Sequence, residues 1–427
     1  MPKRIVVLGG GTGGTIAANR LRRSLAEEDV DVVVVDRDDD HVYQPGLLFV
    51  PFGMSTPSRL VRPRARQLLP GVRFVRSAVD AVDLQAGSVA LDDGSTLGYD
   101  VLVVASGASL LPGETEGLTG GGWRRSVHTF YDLEGAAALA GAMARFDGGE
   151  LVVNVADMPI KCPVAPLEFS FLADWWFRRR RVRDRVHLTF VTPLDGAFTK
   201  AVCNRELSGL LAAKGVDVVT EFNTGTVDAD AGRLVSYDGR EVPFDLAVVV
   251  PLHGGAPYVG RSPGLGDPLG FVPTDPVTLQ ARSHPDVFVI GDATDLAASK
   301  AGSVAHFEGE VVAHNVARHL QGRPLDAAFD GHANCFIESG FGKALLIDFN
   351  DEVEPVPGHF PGPVGLPLLR ESRLNHLGKL AFEQLYWHVL LPGRSIPGVP
   401  SRMPRSGKLL AVAAAGGEAG RSGAGGR

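Results

Sequence analysis

The chain has 427 residues, 44% of them apolar and 21% charged, with 53 glycines and 29 prolines; it is too long for one ordinary core and has the composition of an α/β protein of two or three domains with many tight turns. Its formal net charge is -7, from 42 basic and 49 acidic residues, which excludes a global basic field for nucleic acid and leaves only local clusters such as FRRRRVR at 177–183. The three cysteines, Cys162, Cys203 and Cys335, are too few and too widely spaced for a secreted disulfide framework or a zinc knuckle.

Residues 3–8, KRIVVL, form a β-branched run that meets GGGTGG and then TIAANRLRRSLAEE, whose apolar spacing is helical; VDVVVVD at 30–36 follows as a buried parallel strand. The chain enters this strand pattern at once, without the basic region, apolar stretch and cleavage site of a secretory signal, so a cytoplasmic location is the expectation. Strand-like runs at 99–105, 150–156, 186–191, 244–250 and 285–290 alternate with helical stretches. The fold class predicted is α/β, with two Rossmann-like dinucleotide-binding-type domains, the second inserted in the first. Residues 1–110 and 265–325 make the first, residues 111–264 the second, and residues 326–407 a C-terminal cap that begins with the hairpin-like NCFIESGFGKALLIDF. Within the cap, LNHLGKLAFEQLYWHVLL at 374–391 reads as a helix with apolar residues spread widely around it, suited either to burial or to a membrane interface. No window supplies the ~20 apolar residues of a spanning helix. The last residues, AVAAAGGEAGRSGAGGR, lack enough large apolar side chains to offset chain entropy, and residues 408–427 are expected to be a disordered tail.

Gly9, Gly11 and Gly14 form G-x-G-x-x-G between a strand and a helix, and Asp36 ends the next strand 22 residues after Gly14 (36 minus 14). The first glycine allows the turn, the second lets the backbone approach a pyrophosphate, and the third lets helix and strand pack. The helix N-terminus faces the anion and Asp36 meets a ribose hydroxyl. Two later segments resemble the two-dinucleotide flavoprotein superfamily and turn the expectation toward FAD: YDVLVVASGAS at 99–109, which carries Gly107, and HPDVFVIGDATD at 284–295, in which Asp292 would bond the ribityl chain. Lys300, Ala301 and Gly302 then precede a helix whose N-terminus would stabilise charge on the reduced flavin.

Nicotinamide-using members of that superfamily carry a second glycine loop after the strand ELVVNVA. Here the loop is DMPIKCPVAP, without a glycine, and its prolines at 159, 163 and 166 remove amide donors. The next strand ends in Thr192 and Pro193 where a ribose-reading residue is expected. Electrons are therefore expected from another donor. Cys162 sits in this loop and Cys335 lies 173 residues later (335 minus 162); a cysteine placed here either delivers electrons as a thiolate or is an inert packing residue.

PIKCPVAPLEF, NCFIESGFGKALLIDF, HVYQPGLLFVPFG at 41–53 and FEQLYWHVLLPG at 382–393 resemble the sulfide:quinone oxidoreductase family, with similarity from residue 3 to about 394. The resemblance implies that Cys162 and Cys335 form a disulfide or sulfur-bridged pair, that sulfide attacks it, and that electrons pass to FAD and on to a membrane quinone, leaving sulfane sulfur or polysulfide. It implies a peripheral association with the inner face of the cell membrane and no nucleic acid partner; a homo-oligomer stays open. Glu168 matches an acidic position of the family and is either a proton carrier or a solvated carboxylate. His128, in RRSVHTF, is a second acid-base candidate, and Lys343, in GFGKALL, resembles a lysine near the family's flavin and quinone. The third cysteine that many members carry before the position of His128 is absent from GWRRSVHTF, so FAD is expected to be noncovalent and Cys203 to be a packing cysteine. The competing expectations are a flavocytochrome c-type sulfide dehydrogenase flavoprotein, a type II NADH:quinone reductase, which the missing glycine loop opposes, and a flavin/cysteine redox sensor without turnover.

Overall fold

In the computed structural model, which describes residues 2–410, the valine-rich runs pair as parallel strands because both of their faces are apolar. Strands β1 (Lys3–Leu8), β2 (Val30–Asp36), β3 (Val72–Arg76) and β4 (Val101–Val104) lie in the order β4-β1-β2-β3, with helix α1 (Thr12–Ser24) crossing from β1 to β2. Strand alternation divides the core. Ile5 and Val7 pack with Ile16 and Leu21 of α1, whereas Val6 and Leu8 face Val82, Val89 and Val259 on the opposite side.

The chain then leaves to build a second five-stranded sheet. Its strands β5 (Val127–His128), β6 (Gly149–Val155), β7 (Val186–Val191), β8 (Val216–Val219) and β9 (Leu246–Val250) are all parallel and lie in the order β5-β9-β6-β7-β8. Helix α2 (Ala165–Arg179) follows β6 after the cysteine loop. Part of the arginine run at its end is tied into the fold, Arg180 donating to the carbonyls of Met143 and Phe146 and Arg183 to Asp174 at 2.9 Å, while Arg178, Arg179 and Arg181 are exposed.

On its return, β10 (Val287–Val289) adds to β4, and helix α3 (Gly302–Leu320) packs against α1 so closely that a Cβ on Gly309 would lie 2.7 Å from an Ile16 methyl. The cap contains the antiparallel hairpin β11 (Ala333–Gly340) and β12 (Lys343–Phe349), then helix α4 (Arg373–Leu385), which widens into a π-type turn at Tyr386–Leu390. Leu374, Leu377, Leu380 and Leu385 of α4 point outward, while Tyr386, Trp387 and Leu390 are buried.

One expected boundary moves. Lys408, placed in the disordered tail by composition, has a fully buried side chain paired with Asp348, whose other oxygen meets His332 Nε2 at 2.8 Å. A buried charge needs such partners, and this pair holds the chain in place through residue 408. Residues 411–427 of the expected tail lie outside the described residues.

Candidate active site

The first glycine loop has the shape its spacing predicts. Gly9 adopts φ +95°, and a Cβ there would meet the Ala105 carbonyl at 2.6 Å; at Gly14 a Cβ would meet the Gly9 carbonyl at 1.8 Å. Gly11 faces open space, with nothing within 4 Å of such a Cβ, so a pyrophosphate is able to reach the backbone there. Asp36 Oδ2 accepts from the Gly10 amide at 2.7 Å and from Arg64 at 2.9 Å, which fixes the carboxylate at the end of β2. These residues fit the adenosine and pyrophosphate part of a flavin dinucleotide.

The remaining cofactor candidates separate into two groups. Gly107, at φ +68°, follows β4 at the carboxyl end of the first sheet, the end at which ligands bind in such sheets. Asp292 lies in a tight turn after β10, Gly302 opens α3, and burial holds the Asp292 carboxyl above its ordinary range. The Gly291 amide of that turn donates to the buried Glu308 at 2.5 Å. Lys300 acts one step away. Its ammonium donates to the carbonyls of Asp292 and Thr294 at 3.1 and 2.7 Å, so it shapes the turn rather than offering a free cation. Lys343 makes none of these hydrogen bonds: it follows the turn at Phe341–Gly342 and lies at the exposed tip of the β11–β12 hairpin.

The cysteine loop rests on the start of α3. The Cys162 amide donates to the Lys300 carbonyl at 2.7 Å, and its own carbonyl accepts from Tyr131 Oη and the Ala165 amide, both at 3.0 Å. Cys162 has φ +48°, a left-handed conformation that costs a side-chain-bearing residue about 1–3 kcal/mol and that clusters at reactive sites. A loop held in this way has no run of amides to present to a second pyrophosphate. Cys335 comes from β11. Both cysteines are free thiols, and their environments overlap: burial pushes the Cys162 thiol up, with the charge of Cys335 and then Glu168 adding to it, and burial followed by Glu168 pushes Cys335 up to about 12. A thiolate released here is poorly solvated and is a strong electron donor. Cys203 is fully buried in a separate helix, Ala201–Ala213, where burial pushes its thiol up as well.

Glu168 lies in the first turn of α2 and is 3% exposed, so it is not the solvated carboxylate that its helix position allows. It accepts from the Glu338 amide at 2.6 Å and pairs with Lys379 of α4. Burial holds it above its ordinary range, opposed by Lys379. His376, one turn before Lys379, meets the Glu338 carboxylate at 2.9 Å. His128 does not join this group. Its Nε2 bonds the Arg125 carbonyl at 3.0 Å in β5, and after burial the charges that bear on it are Arg145 and Arg124. Tyr131, three residues on, makes the contact with the cysteine loop.

Sequence reasoning missed several neighbours. Lys379 is one of two cations in α4, with Arg373 at its start, and nothing local in the sequence singles it out. Lys161 precedes Cys162 and faces Asp292 and Asp132, while burial lowers its pKa. His253 lies just beyond the carboxyl end of β9. It is fully buried, bonds the Pro251 carbonyl at 2.9 Å through Nδ1, stands edge-on to Tyr131 at 5.4 Å, and is held neutral, with its pKa down to about 3 by burial and then Lys161.

Residues 3–140 match the family model described as pyridine nucleotide-disulphide oxidoreductase. The mitochondrial sulfide:quinone oxidoreductase of Dictyostelium discoideum is 26% identical over 399 residues, covering 92% of this chain and 86% of that protein. The X-ray structure of the sulfide:quinone oxidoreductase of Aquifex aeolicus superimposes with a TM-score of 0.77 at 21% identity, covering 92% of each chain. An alternative NAD(P)H-ubiquinone oxidoreductase of Arabidopsis thaliana is 24% identical over 75% of this chain. Over about nine tenths of its length the chain is thus similar to sulfide:quinone oxidoreductases, and over residues 3–140 to the pyridine nucleotide-disulphide oxidoreductases.

Proposed function

We propose that the protein is a sulfide:quinone oxidoreductase that oxidises sulfide at Cys162 and Cys335, holds FAD noncovalently, and reduces a membrane quinone. The observation that supports this reading is the convergence of two half-buried cysteines and the buried Glu168–Lys379 pair beside a flavin-type turn, where a nicotinamide loop is missing. In the reaction, hydrosulfide attacks the bridged form of the cysteine pair, the sulfur–sulfur bond breaks, and one cysteine retains the new sulfur while the other leaves as a thiolate. Burial of that thiolate favours surrender of its electron pair. Bound FAD supplies the two-electron acceptor between this pair and the quinone. Overall, hydrogen sulfide gives two electrons and two protons to the quinone and becomes sulfane sulfur, so the step balances without a further reductant.

Several side chains of this chain take roles in that scheme. Gly9, Gly11, Gly14, Asp36, Gly107, Asp292 and Gly302 hold the cofactor, with Lys300 shaping the turn that carries Asp292. Glu168, with its raised pKa and its partner Lys379, holds a proton near the reacting sulfurs. The outward leucines of α4 support attachment to a membrane surface, where a quinone dissolves. Among the described residues no helix is long and apolar enough to cross a membrane. The test is turnover of a soluble quinone analogue by the purified holoprotein. Sulfide-dependent reduction is expected, and NADH-dependent reduction without sulfide would overturn the assignment of the donor.

A further inference from the structure

The cap reaches the first phosphate loop through a chain of buried groups that the proposed reaction does not use. Tyr386, at the start of the π-type turn, places its hydroxyl 2.8 Å from Thr12 Oγ1 and 2.7 Å from His41 Nε2; His41 Nδ1 lies 3.2 Å from the Gly10 carbonyl. Tyr386 and His41 are each 1% exposed. The proton order in this chain is forced. A carbonyl only accepts, so Nδ1 carries the hydrogen. Burial, helped by the Arg64 cation, keeps the ring neutral with its pKa down to about 3, which leaves Nε2 as an acceptor. Tyr386 therefore donates to His41, and its oxygen accepts from the Thr12 hydroxyl. Donation runs from Thr12 to Tyr386, then to His41, then to the Gly10 carbonyl.

Both ends of that chain belong to the glycine loop. Gly10 is also held at its amide by Asp36, at 2.7 Å, and at its carbonyl by Thr15 Oγ1, at 2.9 Å. Thr12 begins α1, so its hydroxyl is fixed at the point where the first free amides of the helix face an anion. A second tie runs alongside: Asn19 of α1, fully buried, donates to the Leu391 carbonyl at 2.7 Å. The wide π-type turn is what brings the adjacent Tyr386 and Trp387 both inward, since such turns reset side-chain direction within a helix.

We propose that Tyr386 is a cofactor-positioning residue through which the C-terminal cap holds the pyrophosphate loop in its FAD-binding shape; this rests on the flavin reading above. Coupling of this kind is reciprocal. FAD firms the seat of α4, and displacement of α4 loosens FAD. The test is FAD release from the holoprotein, followed by the recovery of flavin fluorescence on dilution, for wild type, Tyr386→Phe, Thr12→Val and the double variant. Tyr386→Phe leaves His41 Nε2 and the Thr12 hydroxyl without their buried partner, and release is expected to accelerate about tenfold. The double variant should release FAD no faster than the faster single variant, because both changes break one chain. The rise in Tm that FAD gives should shrink in Tyr386→Phe. An unchanged release rate, additive effects in the double variant, or an equal fall in Tm with and without FAD would each overturn the proposal. Wild-type protein that binds no FAD would instead overturn the flavin reading itself.

Discussion

Replacing Lys379 with methionine isolates the electrostatics of the site. Lys379 is 11% exposed and Glu168 3%, so the pair lies beyond most solvent screening. Removing one partner of a buried pair costs about 3–5 kcal/mol when the other must remain charged. Glu168 has an alternative, which is to take up a proton. Its folded-state pKa is already raised by burial with Lys379 opposing, so loss of the lysine raises it further. A carboxyl whose folded pKa is raised stabilises the folded state most below its unfolded pKa, and that contribution is lost as the pH climbs through the folded pKa. The penalty in Lys379→Met is therefore small near pH 5 and grows through pH 8, at a slope of at most about 1.4 kcal/mol per pH unit for one proton. Denaturant unfolding of wild type and variant, both with FAD, at each pH from 5 to 8 measures it. A penalty that is constant across that range, or larger at low pH, would refute a buried Glu168 that depends on Lys379.

Other consequences are checked separately. Cys162→Ser and Cys335→Ser should each abolish flavin bleaching by sulfide while FAD remains bound, and full bleaching in either would remove that cysteine from the pair. Cys203→Ser should keep a rate close to wild type, because the residue sits fully buried in its own helix; a large loss would bring it into the sulfur chemistry. Replacing Leu374, Leu377 and Leu380 together with glutamine should weaken sedimentation with lipid vesicles and leave reduction by sulfide intact. Unchanged sedimentation would take the membrane role away from α4.

Much of the architecture was legible because it is local. The strand, glycine loop and helix at 3–24 lie within one crossover, and the cysteine loop advertised its missing glycines without any knowledge of what it packs on. Contacts between distant segments were not legible. Glu168 and Lys379 are 211 residues apart, and Thr12 and Tyr386 are 374 apart; no spacing rule joins them. His128 and Lys343 show the converse failure. Each is a plausible residue type near a meaningful segment, yet strand pairing sent His128 to the Arg125 carbonyl and a hairpin turn sent Lys343 to an exposed tip. Lys408 was lost to a compositional argument, because the glycine-rich stretch beyond it masked the buried aspartate that receives its charge.

In the proposed reaction sulfide, and not a nicotinamide, reduces a flavin that a quinone then reoxidises. Anaerobic flavin absorbance after mixing the purified protein with sulfide, with NADH in a parallel sample, and then with a soluble quinone analogue tests it most directly. Rapid bleaching by sulfide alone and recovery on quinone are expected. Bleaching by NADH, or a flavin that stays oxidised in sulfide, would contradict it.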